Sequence, residues 1–266
     1  MALSFRTRRT CYPGRMPTRK VPVVFRIGCA GWSIPAAHRT LFGEGDSMLA
    51  RYATRFDCVE INSSFYRPHR CQTYARWAAS VPRSFRFCVK LPRAISHEQR
   101  LRGSGPLLDR FLEECGGLGG KLGCLLLQLP PSLALEPRVA STFLAMLRRR
   151  YAGAVACEPR HASWFTPRAE ELLRRHRIAR VAADPAPHPG ADLPAGDGAF
   201  AYWRWHGSPR MYYSAYGEAD LNARAALVRA HRARLNWVIL DNTAHGHAIA
   251  DAACLQALLP RSGVRR

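Results

Sequence analysis

The stretch Val23-Val24-Phe25-Arg26-Ile27-Gly28-Cys29-Ala30-Gly31-Trp32-Ser33 decides the fold. It opens as a short apolar run with β-branched residues, the signature of a buried strand, and ends in a glycine turn. Two architectures of alternating strands and helices begin this way. A doubly wound dinucleotide-binding sheet follows its first strand with G-x-G-x-x-G, which lets the chain approach a pyrophosphate at a helix N-terminus. Here the glycines stand at positions 28 and 31 with Trp32 directly after, so that spacing is absent, and the chain contains no P-loop. What remains is a closed parallel barrel.

Working outward, eight strand-like runs follow one another at 23–28, 58–61, 85–91, 124–128, 155–158, 178–182, 201–206 and 237–241. Helical periodicity fills the intervals at 47–56, 107–118, 139–151, 167–176, 223–235 and 248–259. Thr166 before Pro167 predicts an N-cap and first turn. The segment 184–198, rich in Pro, Gly and Ala, predicts a long loop over the barrel mouth with little helix. The expectation is a single α/β domain, a (β/α)8 barrel over 22–260. A disordered basic arm over 1–21, with Met16 as an alternative initiator, and a flexible tail over 261–266 would flank it.

Composition narrows the function classes. The chain of 266 residues is 47% hydrophobic, enough for a large core. No apolar run approaches the ~20 residues of a membrane span, and the N-terminus has no apolar signal core, so no membrane partner is expected. The net charge is +21, and 37 of the 40 basic residues are Arg, the skew of a GC-rich genome. A basic solvated surface is the plainer reading; nucleic acid as a partner is the sharper one, since such a charge draws polyanions at low salt. The nine Cys are odd in number and include no C-x-x-C pair. Cys58, Cys88, Cys124 and Cys157 fall inside strands, so a reduced, cytoplasmic compartment is expected. Oligomeric state is left open.

A barrel of this type keeps its site at the C-terminal ends of its strands. Those ends carry Trp32 after the first strand, Glu60 and Asn62 on one face of the second, and Lys90 with His97 beyond the third. Gln128 ends the fourth, Glu158 with Arg160 and Trp164 follow at the fifth, and Asp184 follows the sixth. Arg204 and His206 share a face of the seventh, and Asp241 and Asn242 close the eighth. Glu60 and Arg204 lie inside otherwise apolar strands, where an unpaired charge costs several kcal/mol, so they either pair with each other or face a wet pocket.

The motifs IGCAGWS (27–33), VEINSSFYR (59–67), FCVKLPRAISH (87–97), LGCLLLQLPP (122–131), EPRHASWF (158–165), YWRWHG (202–207) and DNTAHGHAIADA (241–252) together resemble the YecE-like family, a domain of unknown function. The resemblance covers about 23–260 and implies a TIM-type barrel without a settled activity. It carries over to Trp32, Glu60, Asn62, Phe65, Tyr66, Lys90, His97, Gln128, Arg160, Trp164, Asp184, Arg204, His206 and Asn242. Ile34, Asp241 and the pair His245 and His247 depart from the family pattern, and the histidines argue against a family-wide histidine metal site.

The reading that fits these residues is a small anionic or phosphate-bearing ligand at the strand ends, handled by metal-independent acid–base chemistry. Lys90 and Glu60 are the candidate proton-transfer groups, with His97 and His206 as others that titrate near neutrality. Arg160 and Arg204 suit bidentate clamping of a carboxylate or phosphate. Trp32, Tyr66 and Trp164 suit stacking on a ring, and Asn62, Gln128, Asp184 and Asn242 suit polar contacts to a ligand. No cofactor is expected. A divalent ion among Glu60, Glu158, Asp184 and His206 is the weaker alternative, because Lys90, Arg160 and Arg204 would crowd it with positive charge. A nucleic-acid-binding or endonuclease-like barrel and a noncatalytic ligand-binding module are the alternative functions.

Overall fold

The computed structural model describes residues 23–259, so the arm over 1–21 and the tail over 261–266 lie outside the described residues. The strands are β1 (Val24–Ala30), β2 (Cys58–Ile61), β3 (Arg86–Lys90), β4 (Leu122–Gln128), β5 (Ala154–Glu158), β6 (Ala179–Arg180), β7 (Ala182–Asp184), β8 (Ala195–Gly196), β9 (Phe200–Trp205) and β10 (Leu235–Leu240). The helices are α1 (Met48–Tyr52), α2 (Ser63–Tyr66), α3 (Cys71–Ala79), α4 (Gly105–Cys115), α5 (Pro137–Arg150), α6 (Pro167–Arg175), α7 (Glu218–Ala230) and α8 (His247–Leu258). The sheet runs β7-β9-β10-β1-β2-β3-β4-β5-β6-β8, parallel throughout except where β8 pairs antiparallel with β6.

Closure rests on one segment. Residues 179–184 form a single stave in two pieces, β6 pairing with β5 and β7 pairing with β9, so the same length of chain joins both ends of the sheet. The interior is filled by side chains, as in other barrels of this size. Cys58, Cys88, Cys124, Leu126, Tyr202 and Trp237 belong to one buried cluster there.

The opening stretch explains how the first stave fits. A Cβ on Gly28 would stand 2.2 Å from the carbonyl oxygen of Cys58, so β1 meets β2 at a point with room for hydrogen alone. Gly31 turns the chain out of the strand at φ +88°, a conformation open to glycine. Its neighbour Trp32 packs edge-on against Trp77 of α3.

The outer helices present the faces their periodicity dictates. In α5 the buried positions are Ala140, Phe143, Leu144 and Leu147, spaced i, i+3, i+4 and i+7. The α6 start has the expected cap, with the Thr166 hydroxyl accepting from the Ala169 amide at 3.3 Å and Pro167 in the first turn. Helix α3, by contrast, was not expected: its buried anchor is the single residue Tyr74, too little apolar spacing to read. Helix α7 starts at Glu218 rather than at 223, because Glu218 and Asp220 favour the positive end of a helix.

The segment after β7 corrects a second expectation. It meets the loop after β5 only at its start, where His188 Nε2 lies 3.1 Å from the Arg160 carbonyl. Several prolines keep it from forming a helix, and it descends the outer wall in the helix's place until β8 pairs beside β6. Arg180 holds it there, donating from Nη2 to the Gly190 carbonyl at 2.9 Å and the Leu193 carbonyl at 3.4 Å. The cover over the mouth comes from the turn after β9, where the Tyr212 ring meets the His206 ring edge-on at 5.4 Å.

Candidate functional site

Arg204 on β9 is the hub of the mouth. It is surrounded by three carboxylates from three other strand ends. Its Nε and Nη2 donate to Glu60 on β2 at 2.8–3.1 Å. Nη1 donates to Glu158 at the end of β5 at 3.2 Å, and Nη2 lies 2.9 Å from Asp241, which follows β10. Tyr202, two residues before Arg204 and on the same face, donates to Glu60 Oε2 at 2.6 Å. All these groups are buried, which strengthens every Coulomb interaction among them.

The electrostatics follow from that packing. Burial pushes the Glu158 carboxyl up, but the Arg204 and Arg160 guanidiniums and His206 outweigh it and hold it well below the usual carboxylate range. Burial likewise opposes ionisation of Asp241, and Arg204 and His206 again reverse it to a lowered value. For Arg204 burial is overcome by Asp241, Glu60 and Glu158, so it stays protonated.

His206 has a carboxylate against each of its ring nitrogens. Its Nδ1 lies 2.9 Å from Asp241 Oδ2, and a carboxylate oxygen requires that this nitrogen donate. Its Nε2 lies 3.1 Å from Glu158 Oε1 and 3.2 Å from Arg160 Nη2. With a proton, Nε2 donates to Glu158; without one, it accepts from Arg160. The ring is therefore satisfied in either protonation state. Arg160 also donates from Nη2 to Glu158 Oε1 at 2.6 Å, while its buried Nε has no partner among the described residues.

Lys90, at the end of β3, stands apart from this network. It is 6% exposed. Its Nζ sits 4.3 Å over the Phe65 ring and has no hydrogen bond or ion pair among the described residues. Burial, and then the charge of Arg204, lower its pKa from 10.5 to about 8.

The other residues read from the sequence take varied places. His97 sits in a turn beyond β3, its Nδ1 2.8 Å from Ser96 Oγ and its ring edge-on to Phe65. Burial and the charge of Lys90 lower its pKa. Asn62 borders, with Trp32 and Glu60, a cavity of about 280 Å3, and its buried Oδ1 has no partner among the described residues. Gln128 ends β4 beside Glu158. Tyr66 is 73% exposed and lines a separate lateral cavity with Phe65 and Phe111.

Three residues are committed elsewhere. Trp164 is 1% exposed and donates from Nε1 to the Leu133 carbonyl at 3.0 Å, so its ring is part of the core and offers no stacking face. Asp184 accepts from Tyr216 at 2.6 Å and pairs with Arg224 at 2.9 Å, away from the Arg204 hub. Asn242 donates to Asp251 and to the Ser214 carbonyl, tying the turn after β9 to α8.

The structure therefore brings together Glu60, Lys90, Arg160, Arg204 and His206, and adds Glu158, Asp241, Tyr202 and Tyr212. Glu158 and Asp241 stand at strand ends and were open to the same reasoning as their neighbours. Tyr202 had a signal in the shared face of 202, 204 and 206. Tyr212 had none, since its position depends on how a turn folds back. Among the described residues no group of three or more His, Cys, Asp or Glu side chains is arranged to hold a metal ion. No helix among them is long and apolar enough to cross a membrane.

Comparison with known proteins gives a consistent result. A family model described as a protein of unknown function, DUF72, matches residues 26–265. The Escherichia coli K12 UPF0759 protein YecE is 32% identical over 167 residues, covering 60% of this chain and 59% of that protein. The Bacillus subtilis UPF0759 protein YunF is 26% identical over 154 residues, covering 53% of this chain and 52% of that protein. The aligned part of the chain thus spans about three fifths of the E. coli relative and about half of the B. subtilis one. A crystal structure of a DUF72 family protein from Enterococcus faecalis V583 superposes with a TM-score of 0.76 at 22% identity, covering 90% of this chain and 96% of that one. One from Thermotoga maritima MSB8 superposes at 0.73 with 23% identity, covering 88% and 98%.

Proposed function

The chain belongs to the DUF72 family of YecE-like proteins of unknown function, and from that premise we propose that its barrel mouth binds a small anion and performs metal-independent acid–base chemistry on it. One observation carries the reading: Lys90 is a buried cation without an anionic partner among the described residues, in a mouth whose carboxylates are drawn to Arg204. An ammonium left in that state is costly, and a ligand oxyanion would relieve it. The buried Arg160 Nε is a second donor in want of an acceptor.

Arg204 is not the ligand clamp in this reading. Its donors are turned onto protein carboxylates, and its guanidinium fills the place between Glu60, Glu158 and Asp241 that a metal ion would need. Its role is to keep Glu158 and Asp241 ionised and to hold His206 in line through them. His206 and Lys90 are then the proton carriers, His206 because its ring is satisfied in both states and Lys90 because its pKa is brought near neutrality.

Part of the positive charge lies away from the mouth, while Arg67, Arg93, Arg102 and Arg210 stand on loops that follow strand ends. Arg148, Arg149 and Arg150 end α5, and Arg174 and Arg175 end α6. Helix C-termini in a parallel barrel lie at the end opposite the mouth, so this charge does not gather around the site.

The test is thermal unfolding with increasing inorganic phosphate, comparing the full chain with Lys90→Met. A phosphate-dependent rise in the midpoint, absent in the variant, is the expected result. Equal shifts in the two proteins, or none in the full chain, would overturn the reading. Above pH ~8 the affinity should fall, approaching tenfold per unit as the ammonium loses its proton.

A further inference from the structure

Around the mouth the unpaired groups are not all donors. Both oxygens of Glu60 accept from Arg204, and Oε2 accepts also from Tyr202. Glu158 receives Arg160 at Oε1 and Arg204 at Oε2. Asp241 is divided differently. Its Oδ2 takes both His206 and Arg204, while Oδ1 has no partner among the described residues. The residue is 7% exposed and ionised, so this oxygen is an acceptor that no protein group engages and that solvent or a ligand can reach.

Tyr212 packs against the same imidazole that Asp241 holds. Its backbone φ is +71°, a region that bulky L residues rarely adopt and that glycine or asparagine usually fills. Its ring lies edge-on to His206, it is 38% exposed, and its hydroxyl has no hydrogen bond among the described residues. Burial and then the charge of Asp241 raise its pKa, so the phenol stays a donor.

We propose that the occupant of the mouth is a hydroxylated anion, a polyol phosphate or a hydroxy acid, whose oxyanion meets Lys90 and Arg160, whose hydroxyl donates to Asp241 Oδ1, and whose open side is covered by Tyr212. This rests on the anion-binding reading above and adds the second functional group of the ligand. An occupant with an oxyanion alone would leave Asp241 Oδ1 unsatisfied once water is displaced, and a buried acceptor without a donor is penalised. A hydroxyl placed there would also have its proton on a carboxylate that His206 and Arg204 hold in position. Asp241 is then a catalytic or binding group in contact with the ligand, and Tyr212 a wall of the same pocket.

Isothermal titration of the full chain with two matched pairs tests this: glycerol 3-phosphate against propyl phosphate, and lactate against propionate, with inorganic phosphate as reference. The hydroxylated member of one pair should bind at least about tenfold tighter than its deoxy partner, because a site built to bond a hydroxyl discriminates strongly against its absence. Which pair shows the difference tells phosphate from carboxylate. Asp241→Asn should abolish the advantage while propyl phosphate or propionate still binds. Tyr212→Gly should weaken both members of that pair without lowering the melting temperature, since glycine accepts φ +71° freely. Equal affinities within both pairs, or an advantage that survives Asp241→Asn, would overturn the proposal and leave anion binding standing. Failure of all five probes to bind would remove the anion reading itself and this one with it.

Discussion

Lys90 and Arg204 are both buried cations, and their surroundings give them opposite consequences. Arg204 has three carboxylates within hydrogen-bond distance; Lys90 has an aromatic face. Removing Arg204 leaves three buried anions short of their main counter-charge. Arg204→Met should therefore cost at least about 3–5 kcal/mol in urea unfolding. Lys90→Met should do the reverse. The folded pKa of Lys90 is depressed to about 8 from 10.5, so its charge opposes folding at neutral pH, and that penalty is relieved as pH rises from about 8 to 10.5. At pH 7 the variant should be more stable by on the order of 2–3 kcal/mol, with the gain shrinking across that window. A variant less stable than the parent at pH 7 would contradict the account of Lys90. Charges at 60 and 204 inside apolar strands were legible in the sequence as a pair or a pocket. They form the pair, and Lys90 is left as the free group.

At the scale of elements, the first strand shows local chemistry and long-range geometry acting on one residue. Gly31 is needed for its own backbone angle, which a turn after a strand suggests. Gly28 is needed because Cys58 lies against it, and no local pattern reveals that. Gly28→Ala should destabilise by about 1–3 kcal/mol through forced separation of β1 and β2, as measured by chemical unfolding. The elements with strong periodicity, α5 and α6, were readable to within a few residues. Helix α3 and the divided sixth stave were not, because one is held by the single buried anchor Tyr74 and the other by pairing on two different neighbours. The segment after β7 was rightly read as lacking a helix, and its path down the outer wall is set by Arg180, a tertiary contact.

For the molecule as a whole, the burial of its charges and thiols sets its response to solution conditions. Glu158 and Asp241 have folded pKa values below their ordinary 4.5 and 3.8, so the stability they contribute is complete above about pH 4.5 and is lost as pH falls through the depressed values. Four histidines, His69, His97, His176 and His231, have folded pKa values lowered by burial, so thermal unfolding should show a gentle decline beginning as pH falls through about 6.5 and a steep one below about pH 4; a midpoint that stays level down to pH 3 would contradict the account of Glu158 and Asp241. Of the described thiols, Cys71 and Cys254 are exposed and six are buried. A thiol reagent should label those two quickly and the other six only on unfolding.

The sequence by itself determined the class of fold, the approximate strands and the end of the barrel where polar residues gather. Those follow from patterns within a few residues of each other: apolar runs, helical spacing, the missing dinucleotide-binding glycines, and charges placed at strand ends. Only the tertiary structure decided which charges neutralise one another. Glu60, Glu158 and Arg204 lie on three different strands and Asp241 directly after a fourth, and their distances follow from barrel closure and register. It is closure that gives Arg204 to the carboxylates, leaves Lys90 without one, and brings both Asp241 and Tyr212 against His206.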